Sequence, residues 1–279
     1  MTAKARIASK FEQLRTQSHA ALMPFVTAGD PDLDFTADLL IEFQKRGAAM
    51  VELGIPFSDP VADGPVIQSS YTRALGNGLK LRQVFDWMRS LRSSLDIPVV
   101  TMVSYSIVYR QNPQRYVKEA KDAGFDGVIV PDLPPDEGDS IIHAARDNSF
   151  DTIFLVAPTT PPERRRRIVA NCTGFVYYVS VTGITGARDK LPDHVISNID
   201  ELKTLTDVPI CVGFGVSRPE QAEMLAQHAD GVIVGSAIVK MLEAAQSLPR
   251  EDLLAKVGTF VGELVQGAAK GGQARAQGV

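Results

Sequence analysis

Eight short apolar runs, each separated from the next by a longer stretch of helical periodicity, constrain this 279-residue chain more than any other feature. They lie at 21–27, 49–54, 98–103, 127–130, 152–157, 174–181, 209–213 and 231–234. Runs this short, bounded by Gly, Pro and Asp, read as buried strands rather than helices. Parallel neighbours need crossovers of about a dozen residues or more, and the gaps here are long enough for a helix, so the strands form a parallel sheet. Eight such units close on themselves. The expected fold is therefore α/β: a single-domain (β/α)8 TIM barrel over 1–267 with an additional N-terminal helix. The last residues, 268–279, read AAKGGQARAQGV and carry no large apolar anchor, so a disordered tail is expected there.

Internal echoes support repeated units. Ala-Gly-Phe-Asp-Gly-Val-Ile-Val at 123–130 resembles His-Ala-Asp-Gly-Val-Ile-Val-Gly at 228–235, and 46–54 is a looser copy. In each, a helix ends near a small residue and re-enters the sheet within a few positions, as αβ loops do. The spacing is too irregular for a solenoid.

Composition bounds the function. A net charge of -4 with interspersed signs offers no basic face for nucleic acid, so a small metabolite is the expected partner. The run of four arginines at 164–167 follows Pro161-Pro162-Glu163 at a helix start and reads as a solvated helix face. Cys172 and Cys211, far apart and beside apolar runs, read as small packing residues. The N-terminal MTAKARIASKFEQL has the spacing of an amphipathic helix and lacks the apolar stretch of a signal peptide or membrane span, which points to the cytoplasm. The four histidines have no metal-ligand spacing, so no metal is expected. The strands also present no lysine at a C-terminal end for Schiff-base chemistry.

The segments after the second and sixth strands, 54–77 and 182–192, are long and rich in Gly, Pro, Asp and Thr, and barrels place their chemistry on such C-terminal loops. Glu52 stands near the end of an otherwise apolar strand, where burial would raise its pKa and suit it to give and recover protons; a structural ion pair is the other reading. Asp59 and Asp63 follow in a loop too full of proline and glycine to be regular, either as functional carboxylates or as turn and helix-entry residues. Glycine turns follow three later strands, at Thr182-Gly-Ile-Thr-Gly186, Gly213-Phe-Gly-Val-Ser217 and Gly235-Ser-Ala. Each alone reads as a strand ending, but together they favour a phosphate held by backbone N–H groups and a helix N-terminus.

Val-Glu-Leu-Gly-Ile-Pro-Phe-Ser-Asp-Pro-Val-Ala-Asp-Gly-Pro at 51–65 resembles the signature of tryptophan synthase α subunits. The likeness extends, in order, to 24–31, 127–134, 157–160, 177–186 and 213–217, and covers roughly residues 5 to 265. It implies retro-aldol cleavage of indole-3-glycerol phosphate to indole and D-glyceraldehyde 3-phosphate, with Glu52 as general acid/base, Asp63 at the indole nitrogen and Tyr177 beside the glycerol chain. Gly186, Gly215, Gly235 and Ser236 match phosphate-site positions, Phe25 and Phe214 would pack around the indole, and Thr185 lies in a loop that closes on substrate.

The same resemblance implies an α2β2 heterotetramer in which indole passes to a β subunit, the only chain carrying pyridoxal phosphate. Asp59 and the 131–135 loop would face that partner. The sequence departs from the family at Ser104-Tyr-Ser-Ile-Val108, where a Tyr-Tyr-Asn-Pro-Ile type of segment is common. Val181 stands where some relatives carry arginine. Two other readings are a phosphate-binding barrel isomerase or epimerase, which leaves the Glu52 and Asp63 pair unexplained, and a non-catalytic activator of a β-type partner.

Overall fold

Among the described residues nine parallel strand segments make up the sheet: β1 (Ala21–Thr27), β2 (Val51–Gly54), β3 (Val99–Met102), β4 (Gly127–Ile129), β5 (Asp151–Ile153), β6 (Leu155–Val156), β7 (Val176–Val179), β8 (Ile210–Gly213) and β9 (Gly231–Val234). The computed structural model describes residues 5–179, 193–213, 215–243 and 248–278. The strand order is β5-β4-β3-β2-β1-β9-β8-β7-β6. Its two ends, β5 and β6, are consecutive segments flanking Phe154, one paired with β4 and the other with β7. They are the two halves of one barrel strand, so the eight positions expected from the sequence close a ring. At the break, the Phe154 N–H turns to Cys172 Sγ at 3.4 Å.

Helix α1 (Arg6–Thr16) precedes β1, and α2 (Leu33–Lys45), α3 (Pro65–Gly76), α4 (Leu81–Leu91), α5 (Tyr105–Gln111) and α6 (Pro113–Ala123) run between the strands. They are followed by α7 (Asp139–Asp147), α8 (Pro162–Ala170), α9 (Asp193–Leu205), α10 (Pro219–Ala226), α11 (Ser236–Glu243) and α12 (Arg250–Gln277). Local chemistry sets several starts. Asp32 accepts from the Phe35 N–H at 2.7 Å to cap α2, and Pro65 and Pro113 occupy first helical positions, where a missing N–H costs nothing.

The two-residue period of the strands sorts the interior into layers. Met23, Met50, Val100, Ile129, Ile153, Phe175, Cys211 and Ile233 point inward and fill the barrel, with Ile7 and Phe11 of α1 in the same cluster. Leu22, Val26, Val51, Leu53, Val128, Val176 and Val232 point outward against the helices. A third cluster, Phe25, Ile67, Tyr71 and Val239, lies towards the C-terminal ends of the strands. Met50, Glu52 and Gly54 share the inward face of β2, which is why a carboxyl group enters the barrel at all.

Two expectations are corrected. The tail at 268–279, expected to be disordered, is helical as far as Gln277, with Ala268, Gly271 and Gly272 buried. Small residues do the packing there: a Cβ at Gly271 would stand 2.1 Å from the Glu223 carbonyl oxygen, and one at Gly272 would stand 2.5 Å from the Ala20 nitrogen. Arg165 leaves the solvated face assigned to its run and is 6% exposed, bonded to the Thr160 and Pro158 carbonyls and to Glu201. Both cysteines are buried and free. Among the described residues no helix is long and apolar enough to cross a membrane.

Candidate active site

Strand register places the site at the C-terminal mouth. Phe25 of β1 pairs with Glu52 of β2, and Glu52 with Val100 of β3. Across the barrel, Tyr177 of β7 pairs with Cys211 of β8. Glu52 is 2% exposed, and among the described residues neither carboxyl oxygen has a hydrogen-bond partner. An unpaired buried carboxylate is costly, so the group holds its proton: burial first, then the charge of Asp63, pushes its pKa up to about 8.

Asp63 closes the loop that leads into α3. Its N–H bonds to the Pro60 carbonyl at 3.1 Å, and its own carbonyl accepts from Gln68 Nε2 at 2.7 Å, so the loop is tied back onto the helix it precedes. Its half-buried carboxyl group is raised to about 6 by burial and by the charge of Asp132. Asp132 is itself held by Ser104 Oγ at 2.7 Å and the Tyr105 N–H at 2.8 Å. The segment at 104–108 that departs from the resemblance therefore forms the start of α5, with Ser104 as its cap. Asp59 is exposed and accepts from Ser58 Oγ at 2.6 Å.

Two glycines at strand ends make room for aromatic rings. A Cβ on Gly213 would lie 2.6 Å from the Tyr177 hydroxyl oxygen, so that phenol rests on the backbone of β8. A Cβ on Gly54 would lie 2.6 Å from Phe25 Cζ and 2.9 Å from the Tyr71 hydroxyl oxygen. Both phenols are pushed above the usual tyrosine range, first by burial and then by the negative charges of Glu52 and Asp63, which places both in the field of the two carboxyl groups. Tyr71 was not among the candidates read from the sequence. The signal was present: counted from Pro65, buried positions Ile67, Ser70, Tyr71 and Ala74 follow a helical period, and Tyr71 is the bulky polar-tipped member.

Glycines and a helix start follow β8 and β9. Gly235 leads from β9 into α11, and its carbonyl accepts from Ile238 at 2.9 Å and Val239 at 3.1 Å. The N–H groups of Ser236 and Ala237, ahead of those two, have no acceptor within the helix, and the dipole favours negative charge there. Gly215 adopts φ +57°, a left-handed turn that glycine makes at little cost, just beyond β8. Phe25 lies between Gly54 and Gly235, since a Cβ at Gly235 would be 3.5 Å from its ring. The structure thus brings together Phe25, Glu52, Asp63, Tyr177 and Gly235, with Ser236 next to Gly235 at the start of α11 and Gly215 just beyond the end of β8. Thr185, Gly186 and Phe214 lie outside the described residues. No three His, Cys, Asp or Glu side chains converge as a metal site among the described residues.

The family model described as tryptophan synthase alpha chain matches residues 11–269. The tryptophan synthase alpha chain of Rhodopirellula baltica is 49% identical over 240 residues, covering 85% of this chain and 86% of its own. That of Geobacter sp. strain M21 is 42% identical over 267 residues, covering 96% and 99%. Among solved structures, tryptophan synthase subunit alpha from Legionella pneumophila superimposes with a TM-score of 0.87 at 34% identity, covering 95% of this chain and 99% of that one.

Proposed function

This chain belongs to the tryptophan synthase alpha chain family, and on that premise we propose that it acts as a carbon–carbon lyase on indole-3-glycerol phosphate, releasing indole and D-glyceraldehyde 3-phosphate. The observation that carries the reading is Glu52: a buried carboxyl group on the inward face of β2, without a partner among the described residues and protonated near neutral pH.

The chemistry uses that proton twice. Glu52 donates it to indole C3, and the positive charge that develops spreads to the ring nitrogen, where the Asp63 carboxylate accepts the N–H bond and stabilises it. The ionised Glu52 then takes the proton of the hydroxyl on the carbon attached to C3. The O–H electron pair becomes the aldehyde C=O, the bond to C3 breaks, and its electrons restore the aromatic ring. Glu52 ends protonated, as it began.

Tyr177 stands beside the glycerol chain, and the backbone N–H groups around Gly215, Gly235 and Ser236, with Gly186, receive the phosphate. Phe25 and Phe214 flank the indole, and the loop holding Thr185 closes over it. A β subunit is the partner in an α2β2 assembly, approached through Asp59 and the 131–135 loop, and pyridoxal phosphate belongs to that subunit alone. This chain brings no cofactor or metal of its own to the reaction, and cytoplasm is its compartment.

The test is indole release from indole-3-glycerol phosphate by the purified chain, with and without a tryptophan synthase β subunit, for the wild type and Glu52→Gln. Slow release accelerated by the partner is expected from the wild type. The amide keeps the shape but exchanges no proton, so the variant loses about 10²-fold or more in kcat with substrate affinity changed little. Near-normal turnover in Glu52→Gln removes the proton-transfer role, and no release from the wild type under either condition removes the function.

A further inference from the structure

We propose that Tyr71 is a specificity-determining residue, a fixed wall of the indole pocket that sets which ring-substituted substrates fit; the proposal rests on the function argued above. Gly54 follows Glu52 by two residues on the inward face of β2, so the space that a side chain at Gly54 would fill lies over Glu52 towards the mouth. Phe25 Cζ and the Tyr71 hydroxyl oxygen occupy that space, 2.6 and 2.9 Å from the Cβ position. Tyr71 is 3% exposed and also lines, with Asp63, Phe57 and Met102, a narrow cavity on the acidic side. An indole held by Asp63 at its nitrogen and Glu52 at C3 has its benzo ring confined by these two aromatic side chains.

Steric selection needs a wall that does not yield, and bonds on either side of Tyr71 supply the stiffness. Next to it, Ser70 Oγ lies 2.6 Å from Thr27 Oγ1 in a buried contact. Two residues beyond Tyr71, Arg73 donates to both carboxylate oxygens of Asp30, Nε to Oδ1 at 2.9 Å and Nη2 to Oδ2 at 2.8 Å. Asp30 is 3% exposed, so this ion pair is shielded on one side from water. The same arginine reaches Glu243 at the end of α11 at 3.3 Å. Helix α3 is thereby pinned to the β1 loop and to α11. The helix cannot carry the phenol away from an added methyl group without breaking these bonds, and the ring itself is buried among Phe25, Ile67 and Val239.

The experiment measures kcat/KM for indole-3-glycerol phosphate and for its four benzo-ring monomethyl derivatives, in the wild type, Tyr71→Phe and Tyr71→Leu. The wild type is expected to discriminate against at least one derivative by about tenfold or more, the usual effect of one surplus methyl group. Tyr71→Leu relieves that discrimination by about tenfold. Tyr71→Phe, which keeps the ring and the packing of α3 and loses one oxygen, relieves it partly. Equal kcat/KM for all derivatives in the wild type overturns the proposal, as do unchanged ratios in the variants that retain activity on the parent compound. Should Tyr71→Leu not fold, unchanged ratios in Tyr71→Phe alone overturn it. A wild type that releases no indole from the parent compound overturns the functional reading instead, so the two failures are distinct.

Discussion

Glu52 and Asp63 are both carboxyl groups with raised pKa values, yet they are raised to different levels because they stand at different depths: one inside the barrel at about 8, the other at its lip at about 6. The separation assigns their states near neutral pH, with the inner group protonated and the outer one ionised. Catalysis that needs Glu52 as an acid and Asp63 as a base-form acceptor rises as pH passes about 6 and falls as it passes about 8. A bell-shaped kcat/KM profile with those limbs is the expected result, the two values belonging to the coupled pair. Asp63→Asn removes the acid limb and moves the alkaline limb to lower pH, because the charge that helps hold the proton on Glu52 is gone. An unshifted alkaline limb would separate the two groups. Both residues were legible in the chain as carboxylates out of keeping with their surroundings. For Tyr71 the helical period of 65–76 marks a buried face but not what that face meets, because nothing local says that the turn after β2 swings α3 back over Gly54.

Among the elements, α12 departs furthest from sequence expectation. The search for large apolar anchors passes over a helix that packs through their absence: Gly267 and Gly271, one turn apart, let it approach the backbone of α10, with the Pro219 and Glu223 carbonyl oxygens 2.4 and 2.1 Å from the two Cβ positions. Gly271→Val meets a carbonyl that cannot rotate away, so the helices must part. A loss of roughly 1–3 kcal/mol is expected, seen as a melting temperature lower by several degrees. Gly262→Ala is the control on the same helix. Its Cβ would make an ordinary 3.5 Å contact with Arg46 Cδ, and the gain in helix propensity leaves stability equal or higher. Equal melting temperatures for Gly271→Val and the wild type would remove the packing role.

For the molecule as a whole, the buried acid is a stability liability that varies with pH. Glu52 titrates near 4.5 when exposed and near 8 in the fold, so between those values the folded chain carries a proton that the unfolded chain has lost. Stability therefore falls as pH rises through that window, and the penalty is fully present above the folded value. Glu52→Gln removes it. Urea unfolding at pH 5 and pH 8.5 should show the variant gaining on the wild type by a few kcal/mol at the higher pH and by little at the lower. A gap that does not widen with pH would mean that Glu52 is not held protonated by the fold.

The linear chain by itself determined the number of strands, their parallel sense, the faces they present and the carboxylate and glycine positions at the mouth, because strand period, turn chemistry and burial preference act over a few residues. Closure decided the rest. The split of β5 from β6, the inward turn of Arg165, the approach of α12 to α10 and the meeting of Phe25 and Tyr71 over Gly54 join residues far apart in sequence. Each depends on distances that exist only once the barrel has closed and its helices have settled against it, and no local pattern encodes those distances.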